Sequence, residues 1–154
     1  MKQGKKTILV VDDDETVLKS MSKYLASKGY GVETATNGRE AIEKSEKCFI
    51  NLAILDIRLP DMDGTELLTS MSETEPKMKK IMLTGYPSLE NAAESVNKQA
   101  DAYILKPVDL KKLFRVIEQK LMEQEQELKM DRKQLVTYIK SRDKEQGDTQ
   151  TVSK

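Results

Sequence analysis

Side chains suited to chemistry follow four short apolar runs in this sequence. In chain order these are residues 8–11 followed by Asp12, Asp13 and Asp14, residues 52–55 followed by Asp56, residues 80–83 followed by Thr84, and residues 102–105 followed by Lys106. The carboxyl ends of parallel strands meet at one edge of an open sheet, so we expect these side chains to share a site. Asp56 alone could equally end a strand and start a turn. The repetition at four strand ends favours a functional site.

The residue types at these four ends indicate cation binding and phosphoryl chemistry. Clustered carboxylates repel one another and raise each other's pKa unless a hard divalent cation neutralises them. Magnesium prefers carboxylate and carbonyl oxygens together with water, which leaves positions for phosphate oxygens. A carboxylate is also an adequate nucleophile for an activated phosphoryl group, and Lys106 could supply countercharge to the phosphoryl oxygens.

The rest of the pattern predicts strands alternating with helices. Strands are predicted at Thr7 to Val11, Gly31 to Ala35, Leu52 to Asp56, Lys80 to Leu83 and Ala102 to Leu105. Helices are predicted around Val17 to Leu25 (with Asp14 as its N-cap and Gly29 closing its end), after Asn37-Gly38, from Glu66 to Met71, from Ser88 through Val96, and from Asp109 onward. This alternation predicts right-handed crossovers and a parallel sheet covered by helices on both faces.

Length and composition restrict the class of protein. The chain has 154 residues, which suits one domain with an appendage, and its 26 basic and 26 acidic residues give no net charge. No global field therefore favours nucleic acid or an anionic membrane, and no apolar run is long enough to span a bilayer. We expect a soluble, cytoplasmic protein. The single cysteine, Cys48, excludes an internal disulfide, and the absence of histidine excludes Ser-His triads and His-ligated zinc.

From about Lys6 to Leu121 the sequence resembles the receiver domain of two-component response regulators, in particular the chemotaxis-regulator-like single-domain type. The resemblance implies an α/β fold, the flavodoxin-like (βα)5 doubly wound parallel sheet with strand order 2-1-3-4-5. In this chain the fold would carry an extended C-terminal helix.

The resemblance also implies a role for each chemical residue. Asp56 is similar to the phosphoacceptor, Asp12 and Asp13 to the acidic pair that holds Mg²⁺ together with Asp56 and the backbone carbonyl of Arg58, Thr84 to the switch hydroxyl, Tyr103 to the switch aromatic, Lys106 to the lysine that contacts the phosphoryl group, and Pro107 to a proline usually preceded by a cis peptide bond. By itself, Tyr103 could equally be an ordinary strand aromatic.

The implied function is a phosphorylatable signalling switch. A histidine kinase or phosphotransfer protein would donate the phosphoryl group to Asp56 with Mg²⁺ as cofactor, and the protein would catalyse only its own phosphorylation and dephosphorylation. Inward movement of Thr84 would leave space for the Tyr103 ring, which would alter the face made by the Ser88 helix, the last strand and the last helix. We expect the output to be binding to another protein, or to a second copy through that face or the C-terminal helix.

Three positions depart from the family pattern or tune it. Gln99 stands where the family commonly has glycine, which puts the end of the Ser88 helix in question. Arg58 and Tyr86 lie two residues after Asp56 and Thr84, where family members tune the lifetime of the phosphorylated state. Our hypothesis is that Tyr86 hinders attacking water, and an unchanged dephosphorylation rate in Tyr86→Ala would refute it.

The C-terminal third is predicted to be helical. We assign residues 1–122 to the receiver domain, 123–146 to a helical extension of the last helix, and 147–154 to a disordered tail. Phe114, Leu121, Leu128 and Leu135 repeat every seven residues, but the companion positions Ile117, Gln124, Asp131 and Tyr138 are apolar only at the two ends. A sustained coiled coil is therefore not supported. The extension could be a solvated helix or could pair through its leucine seam.

Two other function classes stay open. The chain could be a scaffold or dimerisation module that acts through its C-terminal helix without phosphorylation. Residues Asp61 to Thr65 also spell the DxDGT signature of haloacid dehalogenase type phosphatases. In those enzymes the apolar strand runs directly into the motif, whereas here it runs into Asp56.

Overall fold

Five parallel strands and four helices form the part of the chain that the computed structural model describes, residues 4–71, 74, 76–85 and 100–152, with side chains through residue 142. The strands are β1 (Thr7–Val11), β2 (Gly31–Ala35), β3 (Leu52–Asp56), β4 (Lys79–Thr84) and β5 (Ala102–Leu105). The helices are α1 (Glu15–Ser27), α2 (Gly38–Lys47), α3 (Gly64–Ser70) and the C-terminal helix α4 (Leu110–Val152). The order β2-β1-β3-β4-β5 confirms the predicted fold.

Apolar side chains alternate between the two faces of the sheet, and helices cover both. On one face Ile8, Val10, Leu52, Ile54, Ile81 and Leu83 pack with buried residues of α1 and α4, and on the other Leu9, Val11, Ala53, Leu55 and Met82 pack with buried residues of α2 and α3. Every residue of β3 is buried. Burying a Leu or Ile side chain stabilises a protein by about 1.5–3 kcal/mol, so β3 is held firmly from both faces. Asp56 is the last residue of this strand.

Short polar residues and one glycine set the ends of α1. The Asp14 carboxylate accepts hydrogen bonds from the amides of Thr16 and Val17, which confirms the predicted N-cap. At the other end Gly29 adopts a φ of 95°, a conformation that glycine takes without steric cost. The loop from β1 therefore turns directly into α1 and leaves Asp12 and Asp13 at the edge of the sheet.

Two elements begin earlier than the sequence predicted. Helix α3 begins at Gly64, two residues before Glu66, with Asp63 as its N-cap. The loop packs tightly on β3 at this point, since a Cβ on Gly64 would lie 2.4 Å from the Asp56 carbonyl oxygen. Strand β4 begins at Lys79, since that residue pairs with Leu52 of β3. The helix predicted from Ser88, together with Tyr86 and Gln99, lies outside the described residues.

The C-terminal helix α4 is a single element of 43 residues. It includes the predicted extension, and it continues to Val152 through the segment from Gly147 that the sequence predicted to be disordered. Glycine in a helix interior costs only about 1 kcal/mol relative to alanine, and α4 contains no proline to stop it. Among the helices described, none combines the length and apolar character that crossing a membrane requires.

Candidate functional site

Three aspartates converge at the carboxyl edge of the sheet. Asp12 and Asp56 follow or end neighbouring strands and are 1% and 7% exposed, whereas Asp13 is exposed to solvent. One carboxylate oxygen from each lies within 4.8 Å of the others. Because β1 pairs with β3 in register, the apolar runs that precede the aspartates fix this convergence.

Lys106 brings a positive charge to the same place. Its Nζ lies 3.0 Å from Oδ2 of Asp56 and 3.4 Å from Oδ2 of Asp12. The Lys106 amide donates to the Thr84 carbonyl at 2.6 Å, and the Lys106-Pro107 peptide bond is cis, as the family resemblance implied. The end of β5 is thus held beside the end of β4, with the ammonium directed at the two buried carboxylates.

The charges at this edge do not balance among the residues that the structure describes. Burial raises the pKa of Asp12, although the Asp14 amide and Lys106 oppose the shift. Burial also acts against the charged form of Lys106, but its hydrogen bond to Asp56 and the two carboxylates outweigh burial and raise its pKa. One ammonium faces three carboxylates. Oxygen donors at this spacing with excess negative charge are the ligands that a hard divalent cation prefers, so the residues present fit Mg²⁺.

The loop after β3 is closed tightly beside Asp56. The Arg58 amide donates to Oδ1 of Asp56 at 3.2 Å, and Arg58 forms an antiparallel bridge with Asp63. The Gly64 amide donates to the Ile57 carbonyl at 2.8 Å. These contacts fix the backbone around Arg58 next to the aspartate cluster, where the resemblance places a carbonyl ligand.

Thr84 and Tyr103 occupy the neighbouring strands. Thr84 ends β4 and is fully buried. Tyr103 pairs with Met82 in the register of β4 and β5, and its half-buried ring packs on the cluster that faces α2 and α3. Its hydroxyl is buried without a hydrogen-bond partner among the described residues. The ring is therefore packed inward, while its polar end makes no bond that would hold it there.

Asp61 has a different environment from the three clustered aspartates. Its two carboxylate oxygens accept hydrogen bonds from the amides of Gly38 and Arg39, at 2.8 and 2.9 Å, and these bonds lower its pKa. The first aspartate of the DxDGT pattern therefore ties the loop after β3 to the first turn of α2. Nothing in the local sequence could have shown this contact, which joins residues 22 and 23 positions apart.

A second polar cluster lies at the opposite, amino edge of the sheet, where sequence reasoning predicted none. Gln124 of α4 is 1% exposed, and its Nε2 donates to the carbonyls of Asn51 and Lys77 at 2.9 and 2.8 Å. Lys79, 5% exposed, places its Nζ 2.8 Å from Glu127 and 3.8 Å from Asp101. In the sequence, the one indication of this cluster was Gln124, a polar residue at a helical position where the pattern of α4 calls for an apolar one.

Comparisons with known proteins agree on one family. The profile of the response regulator receiver domain matches residues 8–118. The chain is 33% identical over 114 residues to regulatory protein AtoC of Escherichia coli, covering 74% of this chain and 25% of that protein. It is 35% identical over 107 residues to a cyclic di-GMP phosphodiesterase of Thermotoga maritima, covering 70% and 28%. The chain thus spans about a quarter of the length of these relatives.

Solved structures give the same result. A CheY-like receiver domain protein from Methanospirillum hungatei has a TM-score of 0.76 and 50% identity, covering 80% of this chain and 99% of that one. The beryllofluoride-activated NtrC4 receiver domain dimer has a TM-score of 0.71 and 31% identity, covering 77% and 97%. Taken with the aspartate cluster and the 2-1-3-4-5 sheet, these matches show that the chain belongs to the response regulator receiver domain family.

Proposed function

We propose that this protein is a signalling switch that accepts a phosphoryl group on Asp56. The observation that carries the proposal is the placement of Asp56 at the end of the buried central strand, with Lys106 Nζ at 3.0 Å and the oxygens of Asp12 and Asp13 within 4.8 Å. The strand holds the nucleophile, and the positive charge of Lys106 lies beside the position that a phosphoryl group would occupy. The family assignment supports the same role.

The proposed reaction forms an acyl phosphate. A carboxylate oxygen of Asp56 attacks phosphorus, a new O–P bond forms, and the P–N bond of a phosphohistidine, or the P–O bond of acetyl phosphate, breaks with its electron pair leaving on the donor. Lys106 supplies countercharge to the phosphoryl oxygens. The rigid strand provides the orientation that such a transfer needs.

The cation site would be made by Asp12, Asp13, Asp56 and the backbone carbonyl of Arg58. Bound Mg²⁺ would supply positive charge that lets a phosphoryl dianion approach a cluster of carboxylates. Asp12 is the most buried of the three aspartates, so it contributes a fixed ligand position, whereas the exposed Asp13 lies on the solvent side. Hydrogen bonding of the Asp14 amide to Oδ1 of Asp12 at 2.9 Å orients that carboxylate.

Phosphorylation of Asp56 would be transmitted through Thr84 and Tyr103. The added dianion needs hydrogen-bond donors, and Thr84 ends the strand next to β3. A shift of its hydroxyl toward the phosphoryl group would open space near β5, and the Tyr103 hydroxyl, which lacks a partner among the described residues, gives that ring little to hold it in place. The proposed output is binding to another protein, with a histidine kinase or phosphotransfer protein as the phosphoryl donor.

Intact mass spectrometry after incubation with Mg²⁺ and acetyl phosphate tests this function. We expect addition of one phosphoryl group, and we expect none in Asp56→Asn, which keeps the side-chain size but removes the nucleophile, or after chelation of the metal. Asp61→Asn is the matched control, because Asp61 bonds to the start of α2, and it should be phosphorylated like wild type. Absence of phosphorylation under every condition would contradict the proposal.

A second candidate function, self-association through α4 without phosphorylation, is favoured by one specific observation. Beyond its contacts with the sheet, α4 leaves large apolar side chains about half exposed, namely Leu135, Val136, Tyr138 and Ile139. Leu135 and Ile139 lie one helical turn apart on one face. Light scattering coupled to size exclusion should then give a dimer mass that Leu135→Lys with Ile139→Lys abolishes and Gln126→Lys preserves. A monomer at high concentration would count against this candidate.

A further inference from the structure

A groove of about 410 Å³ lies between the amino edge of the sheet and α4, remote from the aspartate cluster along the strands. Its walls are the segment before β1, the residues between α2 and β3, and the face of α4 between residues 125 and 132. The lining residues are Gly4, Lys5, Lys6, Phe49, Asn51, Glu125, Leu128, Lys129 and Arg132. This volume falls in the range of sites that hold small molecules.

The charge in the groove is strongly one-sided, although the whole chain is neutral. Four cationic side chains face one carboxylate. Glu125 pairs with Lys6 at 3.2 Å, and within the described part of the chain Lys5, Lys129 and Arg132 take part in no ion pair. Because cations line both walls, they repel each other across the groove. An anion bound between them would remove that repulsion and gain charge-assisted hydrogen bonds.

Phe49 adds an aromatic surface to this basic groove. It is 53% exposed, an unusual condition for a phenylalanine that follows a helix and precedes the buried Ile50. An exposed aromatic face can stack on a planar ring, and the guanidinium group of Arg132 can bind phosphate oxygens in a bidentate way. The groove therefore combines a surface for a planar ring with several groups for phosphate.

Hydrogen bonds hold the backbone at the base of the groove, around Asn51, before any ligand binds. The Asn51 amide donates to the Thr7 carbonyl at 2.9 Å, and the Thr7 amide donates to the Asn51 side chain at 2.9 Å. Gln124, one residue before Glu125, ties α4 to the Asn51 carbonyl. A preformed site loses less conformational entropy on binding than one that must be ordered.

We propose that this groove binds a nucleotide, with its base against Phe49 and its phosphates between Lys5, Lys129 and Arg132. A nucleotide should not bind at the aspartate cluster in metal-free solution, because the carboxylates there repel phosphate. Lys106 is already paired with two of these carboxylates. The nucleotide would bridge the receiver fold and the extension of α4. It would therefore strengthen the attachment of that helix.

Isothermal titration of the full chain with ATP in buffer containing a chelator, at an ionic strength of about 0.15 M where the Debye length is about 8 Å, tests the proposal. Arg132→Glu should weaken binding by about tenfold or more, as expected for loss of a charge-assisted contact and introduction of a like charge. Phe49→Ser should weaken binding by about fivefold or more through lost stacking. Lys140→Glu makes the same type of charge change further along α4, and it should leave the affinity within about twofold of wild type, because a charge about 12 Å further along the helix is largely screened at that ionic strength.

Three results would overturn the proposal. These are an absence of heat at millimolar ATP, an equal affinity for inorganic triphosphate that Phe49→Ser does not change, and an equal loss in Arg132→Glu and Lys140→Glu. The second would indicate an unspecific anion site and the third a general field effect. Asp56→Asn should bind ATP like wild type, so the outcome is independent of the phosphoacceptor function. Far-UV circular dichroism of each variant checks that α4 is retained.

Discussion

The two edges of the parallel sheet both carry buried charge, but they balance it differently. At the carboxyl edge, within the described ranges of the chain, one ammonium, Lys106, lies beside a cluster of three carboxylates, and these residues fit an added cation. At the amino edge Lys79 lies between two carboxylates, Glu127 and Asp101, that are partly open to water. Carboxylates that outnumber the cations beside them, as at the carboxyl edge, indicate a candidate binding site. The buried Lys79, which is paired with two carboxylates, instead joins α4 to the strands.

The largest contrast should come from replacing the two lysines by methionine. Lys106→Met removes the countercharge next to Asp56, and we expect the rate of phosphorylation by acetyl phosphate to fall by about two orders of magnitude, the usual loss for a group that stabilises a developing anion. Lys79→Met changes the same residue type at the other edge and should leave that rate unchanged. Quench-flow or timed mass measurements check both. Equal phosphorylation rates in Lys106→Met and Lys79→Met would contradict the assignment of the phosphoryl chemistry to the carboxyl edge.

The amino edge should respond in stability instead. Gln124→Leu adds apolar surface but removes the donor to the Asn51 and Lys77 carbonyls. Because the buried Asn51 carbonyl keeps the Lys79 amide as a donor, the cost should be that of an ordinary hydrogen bond, about 0.5–1.5 kcal/mol. We therefore expect the free energy of unfolding in urea to fall by that amount, with Mg²⁺-dependent phosphorylation retained. Gln126→Leu lies on the exposed side of α4 and is the matched control. If Gln124→Leu proved more stable than wild type, the hydrogen bonds to the sheet edge would not be needed.

At the carboxyl edge, removing a charge should have the opposite effect on stability. Asp12→Asn relieves the burial of one carboxylate next to Asp56, so the metal-free protein should gain on the order of 1 kcal/mol. Wild type should be stabilised by millimolar Mg²⁺ and the variant much less, because binding to the native state alone adds stability by mass action. Urea unfolding with and without Mg²⁺ measures both effects. A loss of stability in the metal-free variant would show that Asp12 is fully compensated by Lys106.

The smallest expected effect is a pH dependence of the metal-free protein. The pKa of Asp12 is raised above 3.8 in the folded state, so between 3.8 and that higher value the native state binds more protons than the unfolded state. Stability contributed by this group is therefore lost as pH rises through that window. Subtracting the pH profile of Asp12→Asn from that of wild type isolates the effect. A difference profile that rises with pH would contradict the proposed direction.

The sequence predicted the strands and the carboxyl edge well because both follow from short-range patterns. The apolar runs before Asp12, Asp56, Thr84 and Lys106 define strands whose order the family resemblance supplied, and the structure brings Asp12, Asp13, Asp56 and Lys106 together. The proposed roles of these residues follow from chemistry and still depend on the experiments above.

The amino edge could not be predicted in the same way. Gln124 interrupts an apolar seam in the sequence, and only the packing of α4 against β3 and β4 shows that it bonds to the backbone at the sheet edge. Lys79 precedes another lysine and has no feature that distinguishes it from a solvated side chain. Contacts such as Lys79 to Glu127 join residues 48 positions apart, and local patterns carry no information on such pairs.

The unbroken C-terminal helix has a mechanical consequence. Its 43 residues span about 65 Å, and the 25 residues after Glu127, whose carboxylate bonds to Lys79 of β4, span about 37 Å. Rotation of this helix about its contacts with the amino edge of the sheet would be amplified at its far end. A tilt of about 5° at Gln124 and Glu127 would move the far end by about 3 Å. Through Asp101 and Lys79, a sub-ångström adjustment of β4 and β5 would thus become a displacement that a binding partner can detect.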